Sequence, residues 1–183
     1  MSLIEILQDL VGKVPDLLQP VIVAAAGAIP FIEGEGGVAI GIIGGIHPVV
    51  AAVAAAVGNF LCVAALVLLS SGARDAVVTR HRAKAAARAG APAGGETVLM
   101  TAPAVDGSRS ATRKAKFQRA YERYGVPGVS LLGPLLLPTH FTATMLAASG
   151  VGKTRILIWQ AVAIIAWTTL TALIISGVIN AVG

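Results

Sequence analysis

The chain has 183 residues, of which 13% are charged and 56% hydrophobic, with a formal net charge of +5. Soluble domains carry about 25% charged residues, whereas four stretches here carry none: Leu17–Ile32, Gly36–Ala73, Tyr124–Gly152 and Ile156–Gly183. With a mean hydropathy of +0.82, that distribution argues against a soluble domain and for a multi-pass, all-α membrane protein, because lipid does not solvate charge.

Residues 1–16 open the chain with "MSLIEILQDLVGKVPD". The segment lacks the basic start of a signal peptide and carries Glu5, Asp9 and Asp16 instead. Leu3, Ile6, Leu7, Leu10, Val14 and Leu17 recur at helical spacing. This predicts an amphipathic helix, lying on a membrane surface or packed on the protein's own flank.

The next unit, 17–73, does not divide into ordinary spans. A full crossing needs about 20 residues. Leu17–Ile32 is short and interrupted by Pro20, Gly27 and Pro30, and Gly36–Ile46 covers only about 16 Å at helical rise. Two short arms joined by "PFIEGEG" predict a re-entrant hairpin over about 17–46, followed by one span over about 48–70. Pro30, Gly34, Gly36 and Gly37 are the residues expected to shape that turn. The small residues of "AAVAAAVG" (Ala51–Gly58) suit close helix packing, either within the subunit or in a homodimer. Cys62 is the one cysteine, so no disulfide forms within a chain, and it reads as a packed thiol.

From Gly72 to Tyr124 there are eleven Lys/Arg and four Asp/Glu, so the basic charge belongs to a loop, 74–123. Arg74–Arg88 is expected to continue the preceding helix, and Ala111–Tyr124 to form a basic helix leading into the second half. With few aromatic residues and no recognisable module, this loop points to anionic head groups on the cytoplasmic face and not to nucleic acid.

The second half, 124–183, repeats the order of the first. A second re-entrant hairpin is expected over about 124–152, shaped by Pro134 and Pro138 around Thr139 and His140, and a span over about 156–179. Laying Pro30 on Pro138 brings Gly44 onto Gly152. With two hairpins, Lys153 and Arg155 fall on the same side as the basic loop, which obeys the positive-inside rule and puts both chain ends outside. The two halves then form an inverted repeat, the arrangement in which short interrupted segments mark a transporter-type site.

"AIPFIEGEGGVAIGIIGGIHPVVAAVAAAVGN" resembles the first block of the small multidrug export protein family, related to the DedA group, through Pro30, Glu33, Gly34, Gly36, Gly37 and Gly58–Asn59. "RYGVPGVSLLGPLLLPTHFTATMLAASGVGKTR" is similar to its second block through Tyr124–Gly125, Gly128, Pro134 and Pro138. Glu35 stands where that family usually has a basic residue, and "LPTHFTA" replaces a Pro-Leu-Pro turn followed by Gly-Thr-Gly. The resemblance implies a bacterial inner-membrane protein, with drug export or flipping of phosphorylated lipid carriers, proton coupling, and two facing hairpins.

An ionisable group at membrane depth is a functional candidate by default. Two neighbouring carboxylates repel, so Glu33 and Glu35 are candidates to bind and release a proton, and His140 titrates in the useful range. Glu33, Glu35 and His140 are expected to face one wet cavity lined by Thr139, Thr142 and Thr144. The competing expectation is that the carboxylates sit hydrated at a helix end and that His140 satisfies a carbonyl freed by a proline. Asn59 is expected to bond across helices, Trp159 and Trp167 to pack, and Arg155 to anchor topology or reach a lipid phosphate. No cofactor is implied, no His/Cys cluster has metal-ligand spacing, and "GVGKTR" lacks the first glycine of a phosphate loop. The sequence therefore reads as a small proton-coupled transporter or flippase acting on an amphipathic molecule or a phosphorylated lipid. The alternatives are an intramembrane lipid-modifying enzyme using Glu33, Glu35 and His140 as acid and base, and an adaptor acting through the basic loop.

Overall fold

A computed structural model of the chain describes residues 3–88, 121 and 124–182, and they are helical throughout apart from short turns. The expected Ala111–Tyr124 helix and most of the basic loop lie outside the described residues. In chain order the helices are α1 (Leu3–Lys13), α2 (Gln19–Gly27), α3 (Glu33–Ile43), α4 (Pro48–Arg88), α5 (residues 124–132), α6 (Thr139–Ala148) and α7 (Lys153–Val182), with a 3-10 turn at Gly133–Leu135. Two of them, α4 and α7, are long and apolar enough to cross a membrane by length and composition. Their surfaces carry large apolar side chains in the open, including Val49, Leu61 and Leu69 on α4 and Ile158, Ile165 and Leu173 on α7.

The remaining helices are short. α2 has 9 residues, α3 has 11 and α6 has 10, so each extends about 14–17 Å. Proline sets the starts: Pro20 stands in the first turn of α2, Pro48 opens α4, and Pro138 precedes α6 in an extended conformation. α2 and α3 run antiparallel. A Cβ built on Gly37 would lie 3.1 Å from the Gly27 nitrogen, and one on Gly41 would lie 3.0 Å from Val23. α4 closes on α2 backbone to backbone, with Gly58 against the Ala24 carbonyl and Gly27 against that of Ala55. The small residues Ala51, Ala55 and Gly58 are thus consumed inside the subunit.

The turn between α2 and α3 covers residues 28–32 only. Gly34, Gly36 and Gly37, expected in the turn, belong to α3 and serve packing. The positive φ angles at the tip fall instead on Phe31 (74°) and Glu33 (54°). Such conformations are costly for residues other than glycine and concentrate at functional sites.

α3 and α6 end in the same way. Ile46 N–H donates to the Gly41 carbonyl and Gly45 N–H to that of Ile42, while Val151 N–H donates to Leu146 and Gly150 N–H to Ala147. Both are Schellman motifs with a left-handed glycine, φ +91° at Gly45 and +88° at Gly150. The long helix starts three residues after each glycine, at Pro48 and Lys153. The two motifs superpose Gly45 on Gly150, three positions away from the register that places Pro30 on Pro138.

Two separate apolar cores lie at opposite ends of the molecule. One contains Val11, Val23, Val38, Ile46, Ala51 and Ala172. The other contains Val63, Val67, Val126, Val129, Leu146, Ile156 and Ile164. α1 belongs to the first: Val11, outside the expected stripe, is fully buried against Gly44, while Leu3, Ile6 and Leu10 stay about half exposed. Along α4 the first core stops near Ala55 and the second begins near Val63; along α7 the order reverses. The layer between the two cores is polar.

Candidate functional site

The polar layer is assembled where the tip of the α2–α3 hairpin meets the start of α6. Glu33, first residue of α3, is 7% exposed, and Thr139 and His140, first residues of α6, are 2% and 3% exposed. Thr139 Oγ1 donates a hydrogen bond of 2.8 Å to Glu33 Oε2. His140 Nδ1 lies 3.1 Å from Glu33 Oε1. A proton on Nδ1, in the neutral tautomer or the imidazolium, then donates to the carboxylate. The left-handed backbone at Glu33 and the extended backbone at Pro138 direct the two tips at one another. Outside this contact the rings of Phe31 and Phe141 meet with centroids 5.9 Å apart.

α4 and α7 supply the rest of the layer. A Cβ on Gly34, the residue after Glu33, would overlap Thr168 Oγ1 and lie 3.4 Å from Asn59 Nδ2. A side chain there would force the Thr168 hydroxyl to turn away. Asn59 and Thr168 are each 1% exposed. Three atoms of the layer are buried with no hydrogen-bond partner: His140 Nε2, Asn59 Oδ1 and Thr168 Oγ1. Buried polar atoms in folded proteins are overwhelmingly paired, and an unpaired one costs about 1–3 kcal/mol. His140 borders the Glu33 carboxylate directly, and Asn59 and Thr168 stand beside Gly34, the next residue.

The other expected residues are distributed differently. Glu35 is half-buried on the first turn of α3, two residues from Glu33. Thr142 is buried, but its hydroxyl donates to the Pro138 carbonyl at 3.4 Å, and Thr144 donates to Phe141 at 2.9 Å. Both serve α6 and not the carboxylate. Pro30 and Pro134 lie in the two turns, and Arg155 is exposed on the first turn of α7. His47 caps α4: its Nδ1 accepts from Val49 N–H at 3.3 Å. Trp167 does more than pack, because its Nε1 donates to the Leu131 carbonyl at 2.8 Å near the end of α5.

Thr168 and Gln160 were not among the expected residues. Gln160 is fully buried, and its Nε2 donates to Ser130 Oγ at 3.4 Å, tying α7 to α5. The sequence signal was partial: Gln160 is an amide inside an apolar run, whereas Thr168 is one of three threonines, with Thr169 and Thr171, that the sequence alone does not separate. Among the described residues no group of three or more His, Cys, Asp or Glu could hold a metal ion.

No protein-family model, curated protein or solved structure matches this chain.

Proposed function

We propose that the protein is a membrane-embedded, proton-coupled transporter of small amphipathic cations, with Glu33 and His140 as its proton-binding pair. The observation that carries this reading is the buried Glu33 carboxylate, held by Thr139 and facing His140 between two half-length hairpins. Taking 48–70 and 156–179 as the spans, Asn59 and Thr168 stand at their midpoints. The polar layer then lies near the bilayer midplane, where an ionisable group has a functional explanation before a structural one. Arms of about 14–17 Å reach half of a 30 Å hydrocarbon core, so each hairpin enters and leaves on one side. The two apolar cores become an outer and an inner plug, one built on each hairpin.

The chemistry follows from charge. With Nδ1 protonated, His140 is neutral and Glu33 carries −1, and Nε2 is an open acceptor. A proton arriving at Nε2 takes the pair from −1 to 0. A bound organic cation has the same effect, so the site holds one positive charge at a time and the two ligands compete. That competition is what couples opposite movements of proton and cation. A negative site disfavours a phosphorylated lipid as the transported species. Thr139, Asn59 and Thr168 supply hydrogen-bonding atoms to a ligand, and the Phe31–Phe141 contact is an aromatic wall suited to a flat cation. The inverted pair of hairpins, the membrane location with the basic loop inside, and the family resemblance all belong to this proposal.

Proteoliposomes with an internal pH-sensitive dye and an imposed proton gradient test it. Ethidium added outside should collapse the gradient in wild-type vesicles. A Glu33→Gln protein should remain folded but respond like empty liposomes. Equal ethidium-driven proton flux in wild type and Glu33→Gln would sink the proposal.

A further inference from the structure

A second polar feature lies at the far end of the molecule, where α4 leaves the apolar core and α6 passes into α7. A cleft of about 190 Å³ is lined there by Ser71, Arg74, Ala147, Gly150, Val151, Gly152 and Lys153. Three independent features of this cleft point to the same ligand chemistry.

The first is the start of α7. Ile156 N–H donates to the Gly152 carbonyl, which makes Gly152 the N-cap of a 30-residue helix. The N–H groups at the start of a helix have no intrahelical acceptor, and the helix dipole adds positive potential there. A capping side chain usually satisfies them. Glycine has none, and a Cβ at Gly152 would meet nothing within 4 Å. The second is cationic charge. Lys153 and Arg74 line the cleft, and the Arg74 guanidinium lies over Gly150 so closely that a Cβ there would be 2.8 Å from Nη2. The third is Ser71, 6% exposed, whose Oγ has no hydrogen-bond partner although the residue lines the cleft. Backbone N–H donors, two cations and a spare hydroxyl, arranged around one small opening, match a tetrahedral oxyanion.

We propose that this cleft is a phosphate-binding site, taking the phosphomonoester of a lipid head group or a soluble phosphate. Ser71 and the α7 N-terminus supply neutral donors, and Arg74 and Lys153 supply charge. Arg155, the cation expected from sequence to reach a lipid phosphate, does not line the cleft; Arg74, fourteen residues beyond the last aromatic residue of α4, Phe60, does. The site is separate from the Glu33 layer, and it rests on the membrane reading only for which source of phosphate is used.

The full chain in phosphatidylcholine nanodiscs distinguishes the cases. Binding of inorganic phosphate is measured by equilibrium dialysis with radiolabelled phosphate. Retention of phosphatidate, doped into the same nanodiscs, is counted by native mass spectrometry. Wild type is expected to bind at least one of the two, and Arg74→Gln should weaken binding about tenfold, the usual worth of a hydrogen bond to a charged group. Gly152→Asp places a carboxylate on the α7 N–H groups; it should abolish binding while thermal unfolding stays unchanged or rises, because aspartate is a favoured cap. Lys13→Gln, on α1 near the opposite core, should bind as wild type. Phosphatidate without inorganic phosphate identifies a lipid site, and comparable binding of both identifies a soluble phosphate site. Absence of both, or equal binding by wild type, Arg74→Gln and Gly152→Asp, overturns the proposal.

Discussion

Thr139 donates to one oxygen of Glu33 and His140 faces the other, so removing either partner leaves a buried carboxylate atom unmatched. Thr139→Val keeps the shape of the side chain and deletes the donor; it should cost about 1–3 kcal/mol in a detergent unfolding titration. Glu33→Gln should cost much less, because an amide oxygen still accepts from Thr139 and its NH₂ donates to a neutral imidazole. In the Glu33→Gln background the Thr139→Val penalty should fall, since the deserted atom is no longer part of a carboxylate. Equal penalties in both backgrounds would mean that the hydroxyl merely packs. At this scale the sequence was informative where a residue was chemically out of place. Glu33 and His140 stood out as ionisable groups in apolar segments, and both lie in the buried layer. Glu35 stood out equally and is half-buried on the first turn of α3; the sequence did not reveal that "EGEG" is helix and not turn. Thr139 and Thr142 were indistinguishable as hydroxyls; only the start of α6 at Thr139 decides that one reaches across and the other bonds back to Pro138. Asn59 lies in the layer, yet its Oδ1 makes no cross-helix bond.

Among the elements, the short helices depend on glycines in two different ways. Gly45 and Gly150 hold left-handed backbone that ends α3 and α6. Alanine at Gly45 should cost about 1–2 kcal/mol for the conformation alone, since no neighbour lies within 4 Å of a Cβ there. Alanine at Gly150 should cost more, because the new methyl group also displaces the Arg74 guanidinium. Gly58 is a packing glycine, and Gly58→Val drives a branched side chain into the Ala24 carbonyl. A flexible neighbour could move aside, but backbone cannot, so this variant should lose at least the 1–3 kcal/mol typical of overpacking. Gly177, inside α7 with nothing within 4 Å, is the contrast: Gly177→Ala should gain about 0.5–1 kcal/mol. Thermal unfolding of the four variants should therefore rank Gly177→Ala above wild type and the others below it. Element lengths were legible because proline and charge punctuate the chain. The pairing of the halves was less so, since proline marks helix starts while the recurring structural motif is the glycine at the ends of α3 and α6.

For the whole molecule, the decisive quantity is which end of each hairpin faces which side. α4 and α7 run antiparallel, with Ser71 and Lys153 lining the same cleft and Asn59 and Thr168 meeting at Gly34. The α2–α3 hairpin, α1 and the C-terminal part of α7 share one apolar core, and α5, α6 and the opposite ends of the long helices share the other. If the long helices cross a bilayer, Gly45 and Val182 must be on one side and Gly152 on the other, while both hairpin tips stop in the middle. Full crossings by α2, α3 and α6 beside α4 and α7 would require each to traverse about 30 Å with 9 to 11 residues, which helical rise does not allow. Single cysteines introduced at Gly45, Gly152 and Val182 in a Cys62→Ser background make the choice visible in sealed, oriented vesicles. An impermeant maleimide applied from outside should label Gly45→Cys and Val182→Cys. Gly152→Cys should react only after the vesicles are opened, in line with the basic loop lying inside. Labelling of Gly45→Cys and Gly152→Cys from the same side would place the polar layer away from the midplane. Glu33 would then lose the physical reason for treating its burial as transport chemistry, even though its hydrogen bonds to α6 would be untouched.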